Sequence, residues 1–155
     1  MLSKKLFKSI SAGAIVLGLG ITFAYAAADD VIKARQNFMK ERTKAMGPMI
    51  AIMKGEAPYD AAVVKASLDA VNATAEAVKG MDLFPPDSAK GETVETFAKP
   101  EIWSDPEGFK AADEAMGKAF SDLAATTDEA SFKAAFPAVG AACGGCHEKF
   151  RRPKG

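Results

Sequence analysis

Six residues near the C-terminus constrain this chain most tightly. Phe132, Phe136, Val139, Cys143, Cys146 and Phe150 follow one another at intervals of four, three, four, three and four. At 3.6 residues per turn, that alternation holds to one face of an α-helix. A helix spanning 128–150 with such a face has to bury it against other helices. Two cysteines continue the apolar stripe, and a histidine follows the second: Cys143-Gly144-Gly145-Cys146-His147.

Cys-x-x-Cys-His is the attachment pattern for c-type haem. Two thiols add across two vinyl groups and become thioethers. Positions i and i+3 share a helix face, so both sulfurs can reach one edge of a ring. The next imidazole can then reach the iron. Three other readings compete. A structural disulfide needs no histidine and usually spans a longer loop. A redox Cys-x-x-Cys accompanies a βαβ pattern, and none is visible. The chain holds two cysteines and one histidine in all, so a closed zinc site would need a carboxylate as fourth ligand. The expectation is one covalent haem c, with thioethers at Cys143 and Cys146 and His147 as iron ligand. The haem would lie on the inward face of the last helix.

The N-terminus agrees with this chemistry. Lys4, Lys5 and Lys8 precede an apolar run from Ile10 to Phe23, and Ala24-Tyr25-Ala26 offers an A-x-A cleavage site. That is the pattern of a secretory signal peptide over 1–26, removed after Ala26. The run is shorter than the ~18 apolar residues expected of a spanning helix, so no stable membrane insertion is expected after cleavage. Export to the periplasm fits, because c-type haem is attached outside the cytoplasmic membrane. Three of the 20 basic residues and none of the 20 acidic ones lie in the signal, leaving 17 against 20 in 27–155. A slightly acidic chain without a basic patch argues against nucleic acid.

The region 27–155 reads as one all-α domain. Ala is abundant and β-branched runs are rare, which favours helix. Four helices are expected. The first, 30–53, is capped by Asp29 or Asp30 and kinked at Gly47-Pro48. The second, 60–79, carries Val64, Leu68, Val71, Ala75 and Val78 as an unbroken seam, with Gly80 as its stop. The third, 105–125, has Asp105 at the N-cap and Pro106 at N1. The fourth is 128–150. Short links join the first pair and the last pair. The connection 81–104 between the second and third is long, with room for a short helix near 90–97. The fold class is therefore an antiparallel up-down-up-down four-helix bundle.

In such a bundle the first helix starts where the last one finishes. With no second histidine, the sixth iron ligand is a methionine, a lysine, a terminal amine, water or nothing. Met46, Met49 and Met53 lie roughly 10 Å or more beyond Met39 along the first helix, at ~1.5 Å per residue. Met116 is midway along the third helix and Met81 is on a loop. Met39 is the best-placed candidate. Arg35, one turn earlier, and Arg151, four residues after His147, are candidates to pair with haem propionates through guanidinium forks.

These residues resemble a class II c-type cytochrome, the cytochrome c-prime and c-556 family, over the whole of 27–155. The matching pieces are Arg35-Gln36 followed by Met39, Lys54-Gly55-Glu56-Ala57-Pro58-Tyr59-Asp60, Pro100-Glu101-Ile102-Trp103, and Ala141-Ala142-Cys143 through His147 with Phe150-Arg151. In the c-prime branch, the resemblance implies five-coordinate iron that binds nitric oxide or carbon monoxide at a vacant face. In the low-spin c-556 branch a methionine of the first helix fills that face, and Met39 falls on this position. Leu83-Phe84-Pro85 before Asp87-Ser88 and Lys90-Gly91 also resembles the low-spin branch. The expected function is a carrier of single electrons between periplasmic redox proteins, with gas binding as the alternative. The resemblance also allows a homodimer through the outer faces of the first two helices. No enzyme chemistry is expected, since the usual general-base and thiol-nucleophile arrangements are missing.

Overall fold

A computed structural model describes residues 19–153, with side chains from 27 onward. Most of the expected signal peptide therefore lies outside the described residues. Six α-helices follow in order: α1 Leu19–Ala45, α2 Gly47–Lys54, α3 Ala61–Glu76, α4 Glu101–Ser104, α5 Pro106–Ala124 and α6 Glu129–Phe150. They form the expected four-helix bundle, with α1 and α2 acting as one bent member. α1 and α2 pack on α3, and α5 packs on α6. Among the described residues, no helix is long and apolar enough to cross a membrane.

The bend between α1 and α2 comes from Pro48, which has no amide hydrogen to give to Lys44. The bonds on either side survive: Met46 N donates to Arg42 O at 3.1 Å, and Ile50 N to Met46 O at 3.0 Å. The helix therefore kinks and continues, as Gly47-Pro48 implied. Gly55 ends α2 at φ 74° and Gly80 follows α3 at φ 79°, left-handed conformations that glycine adopts without a Cβ clash. Asp60, Asp105 and Asp128 cap α3, α5 and α6. Their carboxylates accept from Ala62 N at 2.8 Å, Gly108 N at 3.0 Å and Ser131 N at 2.8 Å.

One local expectation fails. Neither Asp29 nor Asp30 starts α1, which begins at Leu19. Asp29 is buried and instead accepts the amides of Glu92 at 2.9 Å and Thr93 at 3.0 Å, with the Thr93 hydroxyl at 2.5 Å. That captures the connection, and amides spent on Asp29 are lost to a local helix. No short helix forms near 90–97, where the connection had room for one. A 3-10 turn at Pro86–Ala89 and the one-turn α4 stand on either side. Gly91 passes so close to Asp29 and to the Val94 carbonyl that a Cβ would clash with both.

The apolar core occupies one end of the bundle. Met46, Met49 and Ile52 meet Val64 and Val71 of α3, Leu123 of α5, and Phe132 and Val139 of α6. All but Met46 are 5% exposed or less. On the first helix Ile32 and Met46 are buried, while their neighbours Val31 and Ala45 are only half-buried. Ala75, assigned to the second-helix seam, is exposed. At the other end the inward residues Phe109, Met116, Cys143 and Cys146 are half-buried, because the helices there enclose a space.

Candidate haem site

That space is a cavity of about 1070 Å³ between α1, α5, α6 and the 81–104 connection. α1 contributes Phe38 and Met39, α5 contributes Phe109 and Met116, and α6 contributes Cys146 and His147. Phe84, Phe109 and Phe150 form a run of edge-on rings along the wall, with centroids 4.9 and 5.2 Å apart. Trp103 donates its indole N–H to the Phe84 carbonyl at 2.9 Å, which ties the two ends of the connection together. The tail closes one side. Lys99 N donates to Phe150 O at 3.0 Å, Arg152 N to Phe97 O at 2.7 Å, and the Arg152 guanidinium to Thr96 O.

Of the sequence candidates, Cys146, His147, Met39, Arg35 and Arg151 all line this one cavity. Cys143 packs one turn back against the apolar core. No disulfide joins the two cysteines. Burial raises both thiol pKa values, and a nearby Arg42 partly offsets the rise at Cys143. Burial, with Arg151 nearby, lowers the pKa of His147. A neutral imidazole keeps the lone pair that a metal needs.

The methionines separate clearly. Met46 and Met49 are in the core and Met53 packs against it. The Met116 sulfur accepts a hydrogen bond from Arg42 Nη1 at 3.4 Å. Met81 is at the rim, 52% exposed. Met39 remains, half-buried on the α1 wall.

Arg35 is more deeply engaged than the sequence implied. It is 5% exposed. Its Nη1 donates to Ser88 Oγ at 2.8 Å and its Nη2 to Ser88 O at 2.9 Å, with a further bond to Thr96 Oγ1. The guanidinium also sits 5.2 Å from the Phe84 ring centroid. It ties α1 to the connection from inside the cavity wall. Arg151 is exposed at the end of α6 and pairs through its backbone with Ala98. Arg42 carries no motif. The signal for it is spacing alone: it follows Phe38 by four residues, and its guanidinium lies 4.5 Å from that ring.

A sequence profile described as cytochrome c' matches residues 30–151. The chain belongs to the cytochrome c' family. It is 38% identical to a cytochrome c' of Rhodopseudomonas palustris, over 92% of this chain and 94% of the relative. It is 35% identical to a cytochrome c-556 of Agrobacterium tumefaciens, over 79% of this chain and 98% of the relative. Among solved structures it is similar to a nitric oxide complex of a leucine-to-alanine mutant of cytochrome c prime from Alcaligenes xylosoxidans. That match has a TM-score of 0.71 at 33% identity and covers 82% of this chain and 97% of the other.

As a member of this family the protein carries one covalently attached haem c, and the cavity suits it. Interiors hold few voids larger than a water molecule, whereas this space is at the upper end of the ~300–1,000 Å³ of ligand pockets. Its aromatic walls suit a flat macrocycle. Four basic residues on the lining, Arg35, Lys40, Lys110 and Arg151, outnumber the acids Asp82 and Asp113. That balance suits a ligand bearing two carboxylates.

Proposed function

We propose that this cytochrome carries single electrons in the periplasm, with His147 and Met39 as the two axial ligands of a low-spin iron. Cys143 and Cys146 hold the haem through thioethers, and Arg151 and the charge of Arg35 face its propionates. The observation that carries this reading is Met39. It is the cavity methionine whose sulfur is neither tied to Arg42 nor out on the rim. The haem supplies reversible one-electron chemistry. The chain fixes both ligands on long helices, so their geometry changes little between redox states. Its soft thioether favours ferrous iron. The aromatic wall excludes water, and the open mouth leaves an edge for small, transient interfaces with redox partners. Nothing in this role requires a bound substrate, so the protein acts as a carrier and not as an enzyme.

A second reading has its own support. A solved relative is a nitric oxide complex, and Met39 is only half-buried. An unligated Met39 would leave a face open to small gases. The reduced absorption spectrum separates the two: ligation by Met39 gives a sharp α band, and Met39→Ala broadens it. A broad band in the unsubstituted protein, or no change in Met39→Ala, refutes the Met39 ligand and favours gas binding.

The outer groove between α1 and α3, about 430 Å³ and including Ala45, Pro48, Val63 and Ala70, supports a homodimer across this face. Val63 is 38% exposed there. Val63→Glu should give a monomer in sedimentation velocity; a dimer that persists would place the interface elsewhere.

A further inference from the structure

Arg42 sits just behind the cavity wall. Its guanidinium lies between the rings of Phe38, at 4.5 Å, and Phe120, at 5.5 Å. Nη1 donates to the Met116 sulfur, a weak acceptor. Nε is buried with no partner. Among the described residues no carboxylate lies within ion-pairing distance of it. Asp113 on the same wall and Cys143 on α6 are the groups that feel its charge. An arginine half-removed from water, with one N–H lacking a protein acceptor and no ion partner, carries a desolvation cost. Packing alone would be met as well by a methionine, because buried charged groups can often be replaced by apolar side chains of similar volume without loss. The placement therefore needs a reason beyond stability.

We propose that Arg42 is a positioning charge that raises the reduction potential of the haem held in this cavity. Phe38 and Met116, the residues it touches, themselves line the site. Reduction adds one negative charge to the iron centre. A fixed cation in a medium less polar than water stabilises that added charge. The rings of Phe38 and Phe120 hold the guanidinium in place through cation–π contact, so its field is built in rather than supplied by a mobile surface side chain. Asp113, exposed on α5, opposes it. Its carboxylate offsets part of the Arg42 field at the site. This inference rests on the haem occupying the cavity as proposed above.

The test is a spectroelectrochemical titration of matured Arg42→Met, Arg42→Lys and Asp113→Asn proteins, read together with the reduced spectrum. Arg42→Met should lower the reduction equilibrium constant about tenfold, which is about 59 mV for a one-electron couple. Arg42→Lys should recover most of that loss, and Asp113→Asn should move the potential upward. An unchanged α band in Arg42→Met shows that the shift is electrostatic. If Arg42→Met keeps the parent potential, or if Arg42→Lys is as low as Arg42→Met, the proposal is overturned. It is also overturned if the band shape changes with the potential, since Arg42 would then act by packing Phe38 and Met116. Should Arg42→Met fail to mature, Arg42→Lys and Asp113→Asn still decide: parent potentials in both refute the role. Colourless protein from the unsubstituted chain would instead refute the haem site itself.

Discussion

At the scale of single residues, Arg35 shows how one side chain can organise a wall. A buried guanidinium needs acceptors for its donors. Here they come from Ser88 and Thr96, 53 and 61 residues away in the chain. Arg35→Leu should leave the hydroxyls and carbonyl it serves unpaired and cost about 3 kcal/mol. Arg35→Lys should recover little, because an ammonium cannot span Ser88 and Thr96 as a planar fork does. Urea unfolding of the two variants reads the effect; a parent-like midpoint in Arg35→Leu would show that the connection is held by other contacts. The sequence placed Arg35 beside Met39 correctly, since that is local helix geometry. It could not show the partners, because nothing in 81–104 marks Ser88 or Thr96 as acceptors for a helix 50 residues earlier.

Among the helices and their connections, capping decides how the molecule responds to acid. Asp128 is held below the usual carboxylate range by the Ser131 amide and hydroxyl, and Asp105 by Lys149 and the Gly108 amide. Asp29 is lowered by Thr93, with the amides of Glu92 and Val94 contributing. A carboxylate lowered by folding adds stability that is fully present above its ordinary pKa of about 3.9. That stability is lost as pH falls through the lower folded value. Stability from these three should be constant above about pH 5 and fall below about pH 4. Urea midpoints from pH 3 to pH 7 check this, and Asp128→Asn should flatten part of the fall. A fall that begins near pH 6 would point to His147 instead of the caps. One of these caps was read as such, because Asp105 precedes Pro106 and a periodic run; Asp60 and Asp128 stand at the expected starts of their helices. The capture by Asp29 was not legible. Its local sequence also suits a cap, and only the arrival of residues 92–94 from 63 or more positions away gives it another role.

For the whole molecule, the two ends of the bundle differ in kind. One is filled by its own side chains from Met46 to Val139; the other is built around the cavity. Protein bearing Cys143→Ala and Cys146→Ala should therefore lose amide exchange protection first in the first half of α5, the last two turns of α6 and the 81–104 connection. α3 and the core end should remain protected. Uniform loss would mean that the bundle folds as one unit around the haem, and no loss would mean that the cavity end stands alone. The helical periodicity and the caps were enough to determine the all-α bundle, and the Cys-x-x-Cys-His spacing to mark the candidate haem-bearing helix, because each depends on residues within a turn or two of one another. Tertiary structure alone decided the path of the connection, the captures by Asp29 and Arg35, the Arg42 contact to the Met116 sulfur and the burial of Arg42. Those depend on which atoms meet across the bundle, and no local pattern encodes that.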